Sequence, residues 1–155
     1  GHVANAIEAE TTLDHVRVTA GKVQAQPMQN FQSDRWSGNS QLFWTGAGIG
    51  DVLTFDLPPF TGPTNIELAL TCARDYGIVQ LSLDGQPLGD PIDLFDTGVV
   101  TTGLLAFPDV GGQGDQHTLS IQIAGANRSA VKKYLVGVDW IRIGAAGPAD
   151  TSSLK

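Results

Sequence analysis

The sequence predicts an all-β fold, a jelly-roll sandwich of about nine or ten antiparallel strands. Three observations predict it. Apolar and polar residues alternate over short runs, the period of a strand with one buried face. The 19 glycines and 8 prolines are scattered, so turn-forming residues punctuate the chain every ten residues or so. No segment carries apolar residues at the spacing of an amphipathic helix, and no fixed-period repeat points to a propeller or solenoid.

In chain order, Ala6-Ile7 is a short apolar start, and Val16 to Thr19 and Val23 to Gln26 are β-compatible stretches broken at Gly21. Asn30 to Gln41 is polar, carries aromatics and has no period, which reads as a loop. Leu53, Phe55 and Leu57 alternate until Pro58-Pro59, where the missing backbone N–H ends a strand. Ile66 to Cys72 alternates again after Gly62-Pro63. Ile78 to Leu83 runs into Asp84-Gly85 and Gln86-Pro87-Leu88, which predicts a tight hairpin because Asp-Gly tolerates the positive φ its turn needs. Leu104 to Phe107, Leu119 to Ile123 and Leu135 to Ile143 supply three more strands. Residues 1–5 read as a tag remnant or flexible start, 6–144 as the sandwich, and 145–155 as a flexible tail or linker.

A chain of 155 residues is long enough for one core without staples. Hydrophobic residues make up 41% and charged residues 16%, a composition that folds. The net charge of -7, with 9 Lys plus Arg, offers no basic surface for nucleic acid or an anionic membrane. No apolar run approaches the roughly 20 residues that span a bilayer. Gly1-His2 reads as the scar of tag cleavage, so the lack of a signal peptide decides nothing. The single cysteine, Cys72, excludes an internal disulfide and reads as a small core thiol on the face of Ile66, Leu68 and Leu70.

Motifs for chemistry are sparse. Gly46-Ala47-Gly48-Ile49-Gly50 has the wrong spacing for a dinucleotide loop and precedes a strand, so it reads as a turn; Gly111 to Asp115 reads as a surface loop. No metalloprotease or nucleophile-elbow motif is present, and no carboxylate pair is singled out for glycoside hydrolysis. Catalytic residues are therefore expected to be absent. Asn127-Arg128-Ser129 is a glycosylation sequon, meaningful in a eukaryotic secretory host.

Two features stand above this background. In Ile7-Glu8-Ala9-Glu10, glutamates two apart on a strand share a face, where they are either solvated or neutralised by a hard cation with oxygen ligands. In Ala73-Arg74-Asp75-Tyr76-Gly77, planar charged groups lie between two patterned strands; read with Trp36, Phe43 and Trp44 they suit a sugar, whose apolar face stacks on a ring while Arg and Asp take the hydroxyls. The alternative for Phe43 and Tyr76 is a core or corner position.

Ile7-Glu8-Ala9-Glu10, Leu42-Phe43-Trp44-Thr45-Gly46 leading to Gly50-Asp51-Val52-Leu53, Gln80 to Gly85 and Val138-Asp139-Trp140-Ile141 together resemble the galactose-binding-like β-sandwich modules of carbohydrate-binding module families 6 and 35. Arg74 to Leu81, with Leu88-Gly89 and Pro91-Ile92-Asp93, is similar to C-terminal domains of large secreted bacterial proteins, including some glycoside hydrolases. The resemblance implies a structural calcium held by Glu8, Glu10 and Asp139. It also implies a first sugar-stacking aromatic at Trp44 or Phe43; the second has no motif counterpart, Tyr134 and Phe95 being the available rings.

The expectation is thus a non-catalytic module that binds a polysaccharide or oligosaccharide and targets an attached catalytic domain. Its cleft would be formed by Trp36, Phe43, Trp44, Arg74, Asp75, Tyr76, Lys133 and Tyr134. The alternative is an interdomain packing sandwich without a sugar site. Exposure separates them, because a binding module shows Trp36 or Trp44 in an open cleft and a packing module buries them.

Overall fold

The computed structural model describes residues 2–31 and 35–145. Among them are twelve strands: β1 (Ile7–Glu8), β2 (Val16–Val18), β3 (Lys22–Pro27), β4 (Ser40–Thr45), β5 (Val52–Asp56), β6 (Pro63–Cys72), β7 (Ile78–Leu83), β8 (Gln86–Asp93), β9 (Val100–Thr101), β10 (Leu105–Gly111), β11 (Thr118–Gly125) and β12 (Val136–Ala145). Short 3₁₀ helices occupy Ala9–His15 and Ser37–Asn39. The strands form two antiparallel sheets. The larger runs β10-β6-β12-β4-β3, with β1 added on β12 and β9 on β6; the smaller runs β2-β5-β11-β7-β8. The predicted tail, beyond Ala145, lies outside the described residues.

Alternation builds the core between the sheets. Leu53 and Phe55 of β5, Leu119 and Ile121 of β11, and Leu81 and Leu83 of β7 meet Ile66, Leu68 and Leu70 of β6, Leu42 and Trp44 of β4, and Val136 and Val138 of β12. Cross-strand register keeps them level, with Leu119 opposite both Phe55 and Leu83. Each large apolar side chain buried this way stabilises the fold by about 1.5–3 kcal/mol. The hairpin forms where predicted: Asp84 (φ 51) and Gly85 (φ 81) both take the positive φ of a tight turn, and Leu83 pairs with Gln86.

Two expectations fail locally. The loop read over Asn30 to Gln41 ends early: Ser40 and Gln41 lie with Phe43 and Trp44 in β4, between β12 and β3. Leu42 and Trp44 point into the core, but the opposite face of β4 carries Gln41, which is fully buried, so a polar residue in an interior position hides the strand's pattern. Glu8 and Glu10 do not share a strand either. β1 ends at Glu8, and the Thr11 and Thr12 hydroxyls donate back to the carbonyls of Glu8 and Ala9 (2.7 and 2.6 Å), local bonds that favour the 3₁₀ turn holding Glu10.

Two further contacts position the functional surfaces. Met28, Trp36, Ala69, Thr71 and Trp140 are buried outside the main core, and on β6 Thr71 alternates with the inward Leu70, so Trp36 covers the outer face of the larger sheet. At the far end His117 stacks on Phe60 (3.7 Å between centroids) and bonds through its two ring nitrogens to Asp84 Oδ2 (2.6 Å) and the Phe60 carbonyl (2.8 Å). This clamps the β5–β6 connection to the hairpin.

Candidate functional site

β6 and β12 are both ten residues long and pair antiparallel, so the end of one and the start of the other share one end of the sandwich. A cleft of about 330 Å³ opens there. Gln26 comes from β3, Phe43 from β4, and Arg74, Asp75 and Tyr76 from the β6–β7 connection. Met28 and Phe31 follow β3, Thr97 to Val99 precede β9, and Leu135 precedes β12. Phe43 and Tyr76 stack at 6.2 Å, and Phe31, 46% exposed, stands on the rim.

The β6–β7 connection is held by its backbone. Arg74 O accepts from Val131 N (2.8 Å), Asp75 O from Leu135 N (3.1 Å), and Gly77 N donates to Leu135 O (3.1 Å). The side chains of Arg74 and Asp75 make no hydrogen bond or ion pair with any described residue. The loop thus presents a guanidinium beside a carboxylate, neither with a side-chain partner among the described residues.

A buried relay runs beneath the cleft. Trp36 Nε1 donates to Thr71 Oγ1 (2.8 Å), and Thr71 Oγ1 donates to Gln41 Oε1. Gln41 Nε2 in turn donates to Gln26 Oε1 (2.8 Å) and to the Tyr76 hydroxyl oxygen (3.0 Å). Gly137 makes room for it: a Cβ there would stand 2.6 Å from Gln41 Cδ and 2.7 Å from Nε2. Burial holds the Tyr76 phenol well above its usual range, so it stays protonated. Burial also pushes the Cys72 thiol up to about 11, with Asp96 and Asp93 adding to the effect, which leaves no nucleophilic thiolate.

Of the residues expected in the cleft, Phe43, Arg74, Asp75 and Tyr76 line it and four do not. Trp36 and Trp44 are each 0% exposed and cannot stack on a sugar: one is sealed over the outer sheet face, the other is in the core with Nε1 on the Ala20 carbonyl (2.9 Å). Lys133 is exposed but belongs to a tight turn beside the cleft, its N–H on Val131 O (2.9 Å). Tyr134 is half-buried against the core at φ 55. Gln26, Phe31, Gln41 and Thr97 to Val99 were missed by sequence reasoning. Phe31 alone carried a signal, a large aromatic in a polar stretch without period.

Glu8, Glu10 and Asp139 converge between β1, the first 3₁₀ turn and β12. Each keeps one buried oxygen without a hydrogen-bond partner: Glu8 Oε2, Glu10 Oε2 and Asp139 Oδ1. The other oxygen of Asp139 accepts from Ser37 N (3.1 Å), and Glu8 Oε1 accepts from Ser37 Oγ (2.5 Å) and meets His2 Nδ1 (2.7 Å). Asp139 is 1% exposed; burial, with the Glu8 and Glu10 charges adding, pushes its carboxyl up to about 7. Burial, with the Glu8 charge adding, raises Glu10 as well. Among the described residues no three His, Cys, Asp or Glu side chains are gathered into a ready-made ligand set. Three buried carboxylate oxygens without hydrogen-bond partners, on residues whose charges act on one another, nevertheless fit the all-oxygen chemistry of a hard divalent cation.

No protein-family model matches the chain, and no curated protein matches it. Solved structures do. A Paenibacillus xanthan lyase aligns with a TM-score of 0.69 at 19% identity, over 95% of this chain and 14% of that one. A family 35 carbohydrate-binding module from Clostridium thermocellum aligns at 0.52 and 19% identity, over 92% of this chain and all of that one. A family 35 module from Paenibacillus barcinonensis aligns at 0.50 and 14% identity, over 91% and 98%. The chain therefore has the β-sandwich fold of these modules, and it spans about a seventh of the lyase.

Proposed function

We propose that this chain is a non-catalytic carbohydrate-binding module of a secreted bacterial protein, and that its cleft holds a polysaccharide for an attached catalytic domain. One observation carries the reading: a cleft bears Arg74 and Asp75, without side-chain partners among the described residues, beside the Phe43 and Phe31 rings. Ring faces and planar polar groups recognise sugars, and a preformed hollow lined by apolar rings with a few polar groups is the usual form of a small-molecule site. The fold shared with family 35 modules, and its occurrence within a xanthan lyase, support the same reading. Among the described residues no helix is long and apolar enough to cross a membrane. Calcium belongs to this proposal as a structural ion on Glu8, Glu10 and Asp139, completed by backbone carbonyls. Bound there, it neutralises the three carboxylates and ties β1 to β12 and to the Ser37 turn.

Each stacked ring contributes about 1 kcal/mol, so affinity per site falls in the micromolar to millimolar range. Affinity electrophoresis against plant, algal and bacterial polysaccharides tests the reading. Wild type is retarded by at least one of them, and Arg74→Ala and Phe43→Ala, checked for intact folding, lose most of the retardation. A wild type that binds none, or variants that bind as well as wild type, overturn it.

The packing alternative has one observation in its favour besides the buried tryptophans. At the opposite end of β6 and β12, a hollow of about 560 Å³ is lined by Ile7, Pro58, Pro59, Phe60, Pro63 and Ile143. A neighbouring domain seated there would shield the backbone amides of Leu57, Phe60, Thr61 and Gly62 from hydrogen exchange in a longer protein relative to the isolated module.

A further inference from the structure

The relay beneath the cleft has a direction, set at its buried end. An indole N–H can only donate, so Trp36 spends its hydrogen on Thr71, and Thr71 spends its own on Gln41 Oε1. That fixes the Gln41 amide with Nε2 toward the cleft, where its two hydrogens go to Gln26 Oε1 and the Tyr76 oxygen. Gly137 and the complete burial of Gln41 lock the side chain in this position. Each cleft residue therefore spends one oxygen lone pair on Gln41. No described residue accepts the Tyr76 hydroxyl hydrogen or the Gln26 amide hydrogens. What the floor chiefly offers a ligand is thus a set of unspent donors.

A donor floor selects the group that faces it. A sugar hydroxyl can accept there but must still find an acceptor for its own hydrogen, for which the one carboxylate among the described lining residues is Asp75, whereas a hydrogen-free oxygen needs none. Two groups on glycans offer such an oxygen, a carboxylate and an acyl carbonyl. The surroundings distinguish them. Among the described residues Arg74 is the one cation lining the cleft, and it stands beside Asp75; the Asp93 and Asp96 charges act on neighbouring Cys72, so the local balance is acidic and disfavours a second anion. The walls are apolar, with Met28, Phe31, Phe43, Ala73, Val99 and Leu135, which suits a methyl group and offers a carboxylate nothing.

Resting on the carbohydrate-binding reading above, we propose that the cleft recognises acylated neutral sugars, O-acetyl or N-acetyl, taking the acyl carbonyl on the Tyr76 hydroxyl and Gln26 amide and the acyl methyl against Met28, Phe43 and Val99. Gln41 is the positioning residue that keeps the floor donating.

The test is a set of matched pairs: acetylated xylan, glucomannan and a bacterial exopolysaccharide, each native and after mild alkaline deacetylation, chito-oligosaccharides with and without N-acetyl groups, and polygalacturonate. Titration calorimetry on the intact chain is expected to give at least one acylated member about tenfold tighter than its deacylated partner. The xylan and glucomannan arms report O-acetyl recognition, the chito-oligosaccharide arm N-acetyl. Tyr76→Phe and Gln26→Leu bring that ratio to within about twofold. Trp36→Phe, which removes the donor that sets the relay, lowers it as well, and near-ultraviolet circular dichroism confirms its fold. Equal affinity within every pair, or a ratio untouched by Tyr76→Phe and Gln26→Leu, overturns the acyl assignment while the carbohydrate reading stands. Tighter binding of polygalacturonate than of any acylated glycan overturns it in favour of an anionic ligand. Retention of no glycan overturns both.

Discussion

If the acidic cluster holds a structural cation as proposed, removal of divalent cations is expected to lower the melting temperature of this domain, and calcium to restore it. The size follows from the acidic cluster. Without a cation the fold keeps three carboxylates together, each with a buried oxygen lacking a partner, and holds Asp139 at about 7 instead of its ordinary range. A cation bound to the folded state alone adds about 2.7 kcal/mol when its concentration is 100 times its dissociation constant. For a domain of this length 1 kcal/mol moves the midpoint by about 2–4 °C, so the expected rise is about 5–11 °C. The assay is differential scanning calorimetry near pH 7.5, first in a chelator and then with millimolar calcium or magnesium. Calcium gives the larger shift, because its flexible coordination by several oxygens tolerates this irregular donor set better than octahedral magnesium does. Asp139→Asn, which keeps the shape and the bond from Ser37, abolishes most of the calcium shift. An unchanged midpoint on chelation and calcium addition, or an Asp139→Asn protein that keeps the full shift, refutes the reasoning.

Trp44→Ala costs about 3–5 kcal/mol in urea unfolding, because it opens a cavity in the core and removes no part of the cleft; a loss below 1 kcal/mol contradicts its placement. The His117 clamp makes stability fall with rising pH. The hydrogen bond to Asp84 is the main cause of its raised pKa, with the Phe60 and Gly114 carbonyls adding and desolvation opposing. Its stabilisation is therefore complete below the unfolded value of about 6.5 and is lost as pH rises through the raised folded value. The urea midpoint of wild type drops between pH 6 and pH 9, and the drop is smaller in His117→Gln; identical pH profiles for the two contradict the clamp.

What could be read from the sequence follows the locality of each signal. The Asp84-Gly85 hairpin and the alternating β5, β6, β7 and β11 were legible because turn chemistry and side-chain period are local properties. β4 was not, since Gln41 occupies an interior place that is tolerable only through Thr71, Gln26 and Tyr76, residues remote in sequence. The same cause misplaced Trp36 and Trp44: an aromatic in a polar stretch looks exposed until the sheet it covers is known. Arg74, Asp75 and Tyr76 were legible as charged and aromatic residues interrupting two clean strands. Phe31 showed only as an aromatic in a polar stretch, and Gln26 and Thr97 to Val99 gave no sign, because only the sheet order brings their separate segments to one cleft. The acidic cluster was legible through family resemblance, and its convergence rests on the pairing of Glu8 with Trp140.

The most direct test of the central claim is a ¹H–¹⁵N correlation titration of the domain with an oligosaccharide of whichever polysaccharide retards it in electrophoresis. Binding at the cleft shifts the amides of 73–77 and 97–99, together with Gln26 and its side-chain amide, and leaves 57–63 unmoved. Shifts confined to the Pro58–Phe60 hollow, or none at saturating sugar, contradict the assignment of this cleft as the carbohydrate site.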